Sequence, residues 1–119
     1  MKKILVVDDE KIIGELVRDM LEDEGYIIDF AENGFAAKDM LLQSDYDYVI
    51  SDINMPDMDG IELYFWIKKE MEMMSDKMVF ITGDSYNQRT RDFFDEFTVP
   101  RIDKPFSKSD LTEKLLRKK

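Results

Sequence analysis

The segment ILVVDDE at residues 4–10 indicates the fold, because a short apolar run is followed directly by three acidic side chains. Four consecutive apolar residues rich in β-branched types are too few for a helix and favour a buried strand. The acidic residues would then lie at the carboxyl end of that strand. Similar apolar runs at residues 26–30, 48–50 and 78–81, with an extended piece at residues 99–102, predict four more strands.

Helical patterns separate these runs. Apolar residues recur at spacings of three and four within residues 12–21, 36–41, 61–70 and 93–97. Gly25 stands where a helix C-cap is expected, and Ser107 with Asp110 forms a capping-box pattern that opens a last helix. Alternating helices and nearly continuous apolar strands indicate an α/β fold with a parallel sheet covered by helices on both faces.

Composition and length favour one compact domain over residues 1–119. Hydrophobic residues make up 44% of the chain, enough to build a core although 37% of the residues are charged. No internal repeat, low-complexity stretch or linker divides the sequence. No apolar run has the length needed to cross a bilayer, and the amino terminus lacks the pattern of a signal peptide. We therefore expect a cytoplasmic protein that has no direct membrane contact.

The residue types that the chain lacks exclude whole classes of site. With no Cys and no His, it cannot form disulfides, thiolate or imidazole metal sites, or Ser-His and Cys-His nucleophilic pairs. The formal net charge is −10, and residues 1–60 carry 16 acidic but only 5 basic side chains. Because this surface repels nucleic acid phosphates, we expect no direct nucleic-acid binding.

Polar side chains follow four of the predicted strands. They are Asp8 and Asp9 after the first strand, Asp52 after the third, Thr82 after the fourth and Lys104 after the fifth. Ligands of open parallel sheets bind beyond the carboxyl ends of the strands, so these side chains are expected to converge there. Carboxylates gathered without His favour a hard cation, Mg²⁺ above all. A carboxylate beside Mg²⁺ and a lysine is a nucleophile suited to accepting a phosphoryl group as an aspartyl phosphate.

Four fragments carry a resemblance to a known family. They are VVDDE at residues 6–10, ISDINMPDMDG at 50–60, ITG at 81–83 and KPF at 104–106. In this order and at these intervals they resemble the receiver domain of two-component response regulators over essentially the whole chain. The stretch at residues 82–84, with Val99-Pro100, is also similar to receivers attached to hybrid histidine kinases. The resemblance implies a flavodoxin-like fold with strand order 2-1-3-4-5 and a cis peptide bond before Pro105.

The resemblance also implies roles for individual residues. Asp52 is expected to be the phosphoacceptor, and Thr82 and Lys104 are expected to contact the phosphoryl oxygens. Mg²⁺ is expected on the side chains of Asp8, Asp9 and Asp52 and on the main-chain carbonyl of Asn54.

The resemblance also implies which proteins this domain interacts with. The donor in this family is a phosphohistidine on a sensor histidine kinase or a histidine phosphotransfer protein. The domain is expected to catalyse its own phosphorylation and slow dephosphorylation, without multiple turnover, and to switch conformation. The sequence leaves open the downstream effector and whether phosphorylation produces a dimer.

One position departs from the family pattern. Many receivers have an aromatic residue three positions before the lysine, and it swings inward on phosphorylation, whereas this chain has Arg101 there. A guanidinium is costlier to bury than a phenol ring. Output is therefore expected to run through the loop after Thr82, where Asp84 flanks the site by family position.

Two rival functions fit parts of the pattern. A Mg²⁺-dependent phosphatase of the haloacid-dehalogenase type also uses an aspartate nucleophile at a strand end, but it requires a second Asp two residues later, where this chain has Asn54. A flavodoxin needs a first loop that accepts the phosphate of its flavin, which Asp8-Asp9-Glu10 would repel. The receiver remains the favoured interpretation.

Overall fold

Five strands form a parallel sheet at the centre of the protein in a computed structural model, which describes residues 2–83 and 87–116. The strands are β1 (Lys2–Val7), β2 (Tyr26–Ala31), β3 (Tyr48–Asp52), β4 (Met78–Thr82) and β5 (Arg101–Asp103). Their spatial order is β2-β1-β3-β4-β5, and every neighbouring pair is parallel. The strand order that the family resemblance implied is confirmed.

Helices connect the strands and cover both faces of the sheet. They are α1 (Lys11–Leu21), α2 (Gly34–Gln43), α3 (Gly60–Glu70), α4 (Glu72–Ser75), α5 (Gln88–Glu96) and α6 (Lys108–Leu116). The capping box expected at the last helix is confirmed, since the Asp110 amide donates to the Ser107 hydroxyl and the Ser107 amide donates to the Asp110 carboxylate. No helix within the described residues is long and apolar enough to span a membrane.

Two local features differ from the predicted pattern. Gly25, expected to cap the first helix, instead ends a 3-10 turn at Glu22–Glu24 that follows α1, and it does so with a left-handed φ of 88°. Glycine adopts this conformation without steric cost. The additional short helix α4 begins after Met71, whose φ of −144° interrupts the helical backbone at the end of α3.

The strands alternate between two hydrophobic cores. In β1, Leu5 and Val7 belong to the core under α2, α3 and α5, whereas Ile4 and Val6 belong to the core under α1 and α6. All four of these side chains are fully buried. A sheet buried on both faces in this way explains why its strands read as continuous apolar runs rather than as alternating ones.

Aromatic rings fill much of the core under α3 and α5. Phe93 packs edge-on against Tyr64 and Phe80, with ring centroids 5.2 and 5.6 Å away. Phe93 is buried in this core, while Phe94 and Phe97 pack against it partly buried.

The turn before α3 is held in place by charged side chains. The Asp59 carboxylate accepts the Glu62 amide, and the Glu62 carboxylate accepts the Asp59 amide, which together form a second capping box. The other oxygen of Asp59 pairs with the guanidinium of Arg89 in the first turn of α5. This pair links the connection that follows β3 to the helix that follows β4.

Gly60 lies against the main chain at the end of β3. Its amide donates to the Ile53 carbonyl at 2.8 Å, and a Cβ atom added here would come within 2.3 Å of the Asp52 carbonyl oxygen. Because the obstacle is main chain rather than a flexible side chain, it has little room to yield. The close approach of the chain after Asp52 therefore requires a residue without a Cβ atom at position 60.

We expect Gly60→Ala to lower the free energy of unfolding by about 1–3 kcal/mol, the usual cost of overpacking. Urea unfolding followed by circular dichroism measures the change as a lower midpoint. The matched control is Gly83→Ala, because a Cβ there would meet no heavy atom of the described residues within 4 Å. Equal midpoints for the two variants would contradict the steric argument.

Candidate functional site

The register of the sheet brings the polar strand ends together. Val7 pairs with Ser51, Asp52 with Ile81 and Thr82 with Asp103, so strands β1, β3, β4 and β5 end at one level. The next residue after β1 is Asp8, and the next after β5 is Lys104. The convergence expected from the sequence is therefore observed for Asp8, Asp52 and Lys104, whose side chains meet at this edge.

Lys104 is the positive centre of the cluster. Its Nζ atom lies 3.4 Å from Asp8 Oδ2, 3.5 Å from Asp52 Oδ2 and 3.7 Å from Glu10 Oε1. The Asp8 and Asp52 side chains are only 1% and 7% exposed. Two buried carboxylates thus share one partly buried ammonium group. The peptide bond between Lys104 and Pro105 is cis, as the resemblance implied.

Asp8 is oriented by the main chain around it. Its Oδ1 atom accepts the Glu10 amide at 2.8 Å, and its own amide donates to the Ala31 carbonyl at the end of β2. Its Oδ2 atom is left to face Lys104. Burial is the largest influence on its pKa and raises it from 3.8 to about 6, with the nearby Asp52 charge adding to the rise. The Glu10 amide and Lys104 oppose this rise.

Asp52 stands at the carboxyl end of β3 with both oxygens engaged. Oδ1 accepts the Asn54 amide at 3.4 Å, and Oδ2 faces Lys104. Burial raises the pKa of Asp52, although Lys104 and the amides of Asn54 and Ile53 partly offset the rise.

The electrostatic balance of the cluster leaves excess negative charge. Burial lowers the pKa of Lys104, but the carboxylates of Asp52 and Asp8 outweigh burial and raise it overall. Lys104 therefore stays an ammonium ion at neutral pH. One positive charge then faces the buried carboxylates of Asp8 and Asp52, and an arrangement of this kind favours the binding of a further cation.

The side chains of Asp8, Asp9 and Glu10 form a group in which one carboxylate oxygen from each lies within 4.8 Å of the others. Asp9 and Glu10 are exposed to solvent. Asp52 is not part of this group, although it shares Lys104 with Asp8. From the sequence, Glu10 was expected at the end of the first strand but without a role in the site. Its position directly after Asp8-Asp9 was the one signal available.

Thr82 is buried at the end of β4, and its hydroxyl donates to the Gly83 carbonyl at 2.8 Å. Its own carbonyl accepts the Lys104 amide, which continues the ladder between β4 and β5 beyond the strands. Asp84, expected to flank the site, and the rest of the segment at residues 84–86 lie outside the described residues.

Arg101 does not enter the protein interior. Its side chain is exposed, and its guanidinium lies 4.9 Å from the centre of the Phe94 ring on α5. This placement agrees with the high cost of burying a guanidinium. The Arg101 side chain contacts the Phe94 ring at the surface and does not occupy the interior position to which the aromatic residue of many receivers moves.

Comparison with known proteins gives a consistent result. The family model described as the response regulator receiver domain matches residues 4–116. Chemotaxis protein CheY-3 of Vibrio cholerae is 33% identical over 114 residues, which cover 95% of this chain and 88% of CheY-3. The transcriptional regulatory protein ResD of Bacillus subtilis is 40% identical over 105 residues, which cover 88% of this chain but only 42% of ResD.

Solved structures show the same likeness. The response regulator TrrA of Thermotoga maritima, crystallised in complex with Mg²⁺-BeF, is 38% identical and superimposes with a TM-score of 0.84 over the whole of both chains. A family match across nearly all of the chain, a relative of similar length and a shared fold all point the same way. This chain belongs to the receiver domain family of two-component response regulators.

Proposed function

We propose that this domain accepts a phosphoryl group on Asp52 from a phosphohistidine of a sensor histidine kinase or histidine phosphotransfer protein. The observation that carries the proposal is the position of Asp52 Oδ2, 3.5 Å from Lys104 Nζ at the carboxyl edge of the sheet. The side chain is 7% exposed, so few water molecules solvate it. A poorly solvated carboxylate beside an ammonium group is well placed to attack phosphorus.

The transfer makes one bond and breaks one. A carboxylate oxygen of Asp52 forms the bond to phosphorus while the bond between phosphorus and the donor imidazole nitrogen breaks, and that nitrogen keeps the electron pair. Lys104 neutralises charge on the transferred group, which is the main catalytic need of a phosphoryl transfer. We assign to the Thr82 hydroxyl, which here donates to the Gly83 carbonyl, a hydrogen bond to an oxygen of the transferred phosphoryl group.

Mg²⁺ fits the donor set at this edge. The buried Asp8 and Asp52 carboxylates outnumber the one ammonium that they share, and Asp9 adds a third carboxylate beside Asp8. Oxygen ligands of this kind suit a hard cation. We assign the side chains of Asp8, Asp9 and Asp52 and the main-chain carbonyl of Asn54 to the ion, which when bound supplies positive charge to the transferred phosphoryl group. TrrA, a 38% identical relative, was crystallised in complex with Mg²⁺-BeF, which supports Mg²⁺ as the ion bound here.

The proposed cycle ends with slow hydrolysis of the aspartyl phosphate by the domain itself, and with a conformational change read by a separate effector. A multiple-turnover phosphatase is less well supported, because the position two residues after Asp52 holds Asn54, which cannot act as an acid or base. Asn54 is exposed, and its main-chain amide donates to the acceptor Asp52; we propose that its side chain affects how water reaches the phosphoryl group and so the lifetime of the aspartyl phosphate.

We expect Asp52→Asn to abolish Mg²⁺-dependent labelling by a radioactive small phosphodonor, because an amide cannot attack phosphorus. The matched control is Asp57→Asn in the following loop, which should label like the wild type. Asp57 is exposed and has a φ of 69°, a conformation that Asn tolerates. EDTA should also prevent labelling of the wild type.

Persistent labelling of Asp52→Asn would reject Asp52 as the acceptor. Repeated turnover of a phosphomonoester by the wild type would support the phosphatase instead.

The raised pKa of Asp8 predicts a pH-dependent stability in EDTA. The group titrates near 6 in the folded state but near 3.8 when unfolded, so the folded state holds the proton more tightly and this stabilisation is lost as the pH rises through 6. Asp8→Asn keeps an oxygen for the Glu10 amide but has no charge to bury. The wild type should therefore lose stability between pH 4 and pH 7, whereas Asp8→Asn should not. We expect the free energy of unfolding of Asp8→Asn minus that of the wild type to increase by up to about 3 kcal/mol over this range.

Urea unfolding at several pH values measures this difference. The control is Asp9→Asn, which removes a carboxylate of the same group that is exposed to solvent and so has no burial cost to relieve. A difference between Asp8→Asn and wild type that stays constant from pH 4 to pH 7 would contradict the assigned pKa.

A further inference from the structure

Glu10 contacts Lys104 from the solvent side of the cluster. Its Oε1 atom lies 3.7 Å from Lys104 Nζ, and its side chain is 61% exposed, whereas the Asp8 and Asp52 side chains around the same ammonium are buried. Lys104 therefore lies between two carboxylates in the interior and one at the surface. Because the Asp8 and Asp52 side chains are buried, a phosphodonor has to approach from the solvent side, where the Glu10 carboxylate lies.

Within residues 2–83 and 87–116, Lys104 is the only group that forms an ion pair with the Glu10 carboxylate. Glu10 is the residue before α1, but its carboxylate makes no capping hydrogen bond to that helix. Its main-chain amide is held by Asp8 Oδ1, which positions the residue over the site. The ion pair with Lys104 is thus the contact that orients the carboxylate.

We infer that Glu10 selects among phosphodonors by charge, because its carboxylate at the opening of the acceptor site disfavours donors in proportion to their negative charge. The inference rests on the proposed phosphorylation of Asp52. Glu10 makes no bond to the transferred group in this proposal, so it is a specificity residue rather than a catalytic one.

The size of the effect follows from Coulomb's law. Two unit charges about 6 Å apart in water interact strongly enough to change a rate about threefold. A donor with two negative charges should therefore be slowed about threefold more than a donor with one. Because Glu10 is exposed, salt screens this effect, and it should largely vanish when the ionic strength approaches 1 M.

Two small donors that differ in charge test the inference. Acetyl phosphate is a dianion at neutral pH, and phosphoramidate is a monoanion. In both reactions an Asp52 oxygen bonds to phosphorus. Acetate leaves from the first with the electrons of the P–O bond, and ammonia leaves from the second with those of the P–N bond. Phosphorylation rates of wild type and Glu10→Gln are measured with each donor at saturating Mg²⁺, in low and in high salt.

We expect Glu10→Gln to raise the rate ratio of acetyl phosphate to phosphoramidate about threefold in low salt and to leave it nearly unchanged in high salt. The ratio cancels any effect of Lys104 reorientation that both donors share. Glu10→Asp keeps the charge and should restore the wild-type ratio. Glu15→Gln, the same substitution at an exposed position further along α1, should leave the ratio unaltered.

Three results would overturn the inference. The first is the same ratio in Glu10→Gln and wild type. The second is an equal rate loss with both donors, accompanied by a higher Mg²⁺ concentration for half-maximal rate, since this would make Glu10 a metal ligand. The third is a wild type that neither donor phosphorylates, which would reject the proposed function as well. In the first two results Asp52 is still labelled, so the proposed function survives them.

Discussion

The shared ammonium of Lys104 is the interaction on which the site depends. Asp8 and Asp52 are buried where three strands end, and burial alone would favour protonating both. Lys104 reaches them from a fourth segment of the chain and offsets part of that cost. The folded state therefore carries a charge imbalance at its functional edge. Stability and function oppose each other here, because replacing a carboxylate would relieve the imbalance and remove the chemistry.

The parts of the fold that the sequence predicted are those determined by local patterns. The runs at residues 4–7, 48–50 and 78–81 are buried on both faces, so they stand out as strands. Because parallel strands end at a common edge, Asp8, Asp52 and Lys104 could be expected to converge before any coordinates were available. The strand order could not be predicted from these patterns, because an apolar run does not show which strands lie beside it. Only the family resemblance implied the order.

The features that were missed are very short local elements and side-chain contacts between segments of the chain. Gly25 was expected to end α1, but three residues of 3-10 turn intervene, and no periodic pattern marks so short an element. The four residues of α4 are also too few to show a helical pattern in the sequence. The contact of Glu10 with Lys104 joins residues 94 positions apart and depends on the path of both side chains. The sequence indicated that the Arg101 guanidinium would be costly to bury, but it did not predict the contact with Phe94.

The position of β3 within the sheet has a consequence for dynamics. All five of its residues are buried, and it is hydrogen-bonded to β1 on one side and β4 on the other. Main-chain amides in such a strand open only with global unfolding, so they exchange with solvent most slowly. Asp52 therefore belongs to a strand whose main chain we expect to be among the most rigid in the domain. A change of shape that begins at Asp52 therefore has to appear in the connecting segments, such as the one that directly follows β3 and is linked to α5 by the pair of Asp59 and Arg89.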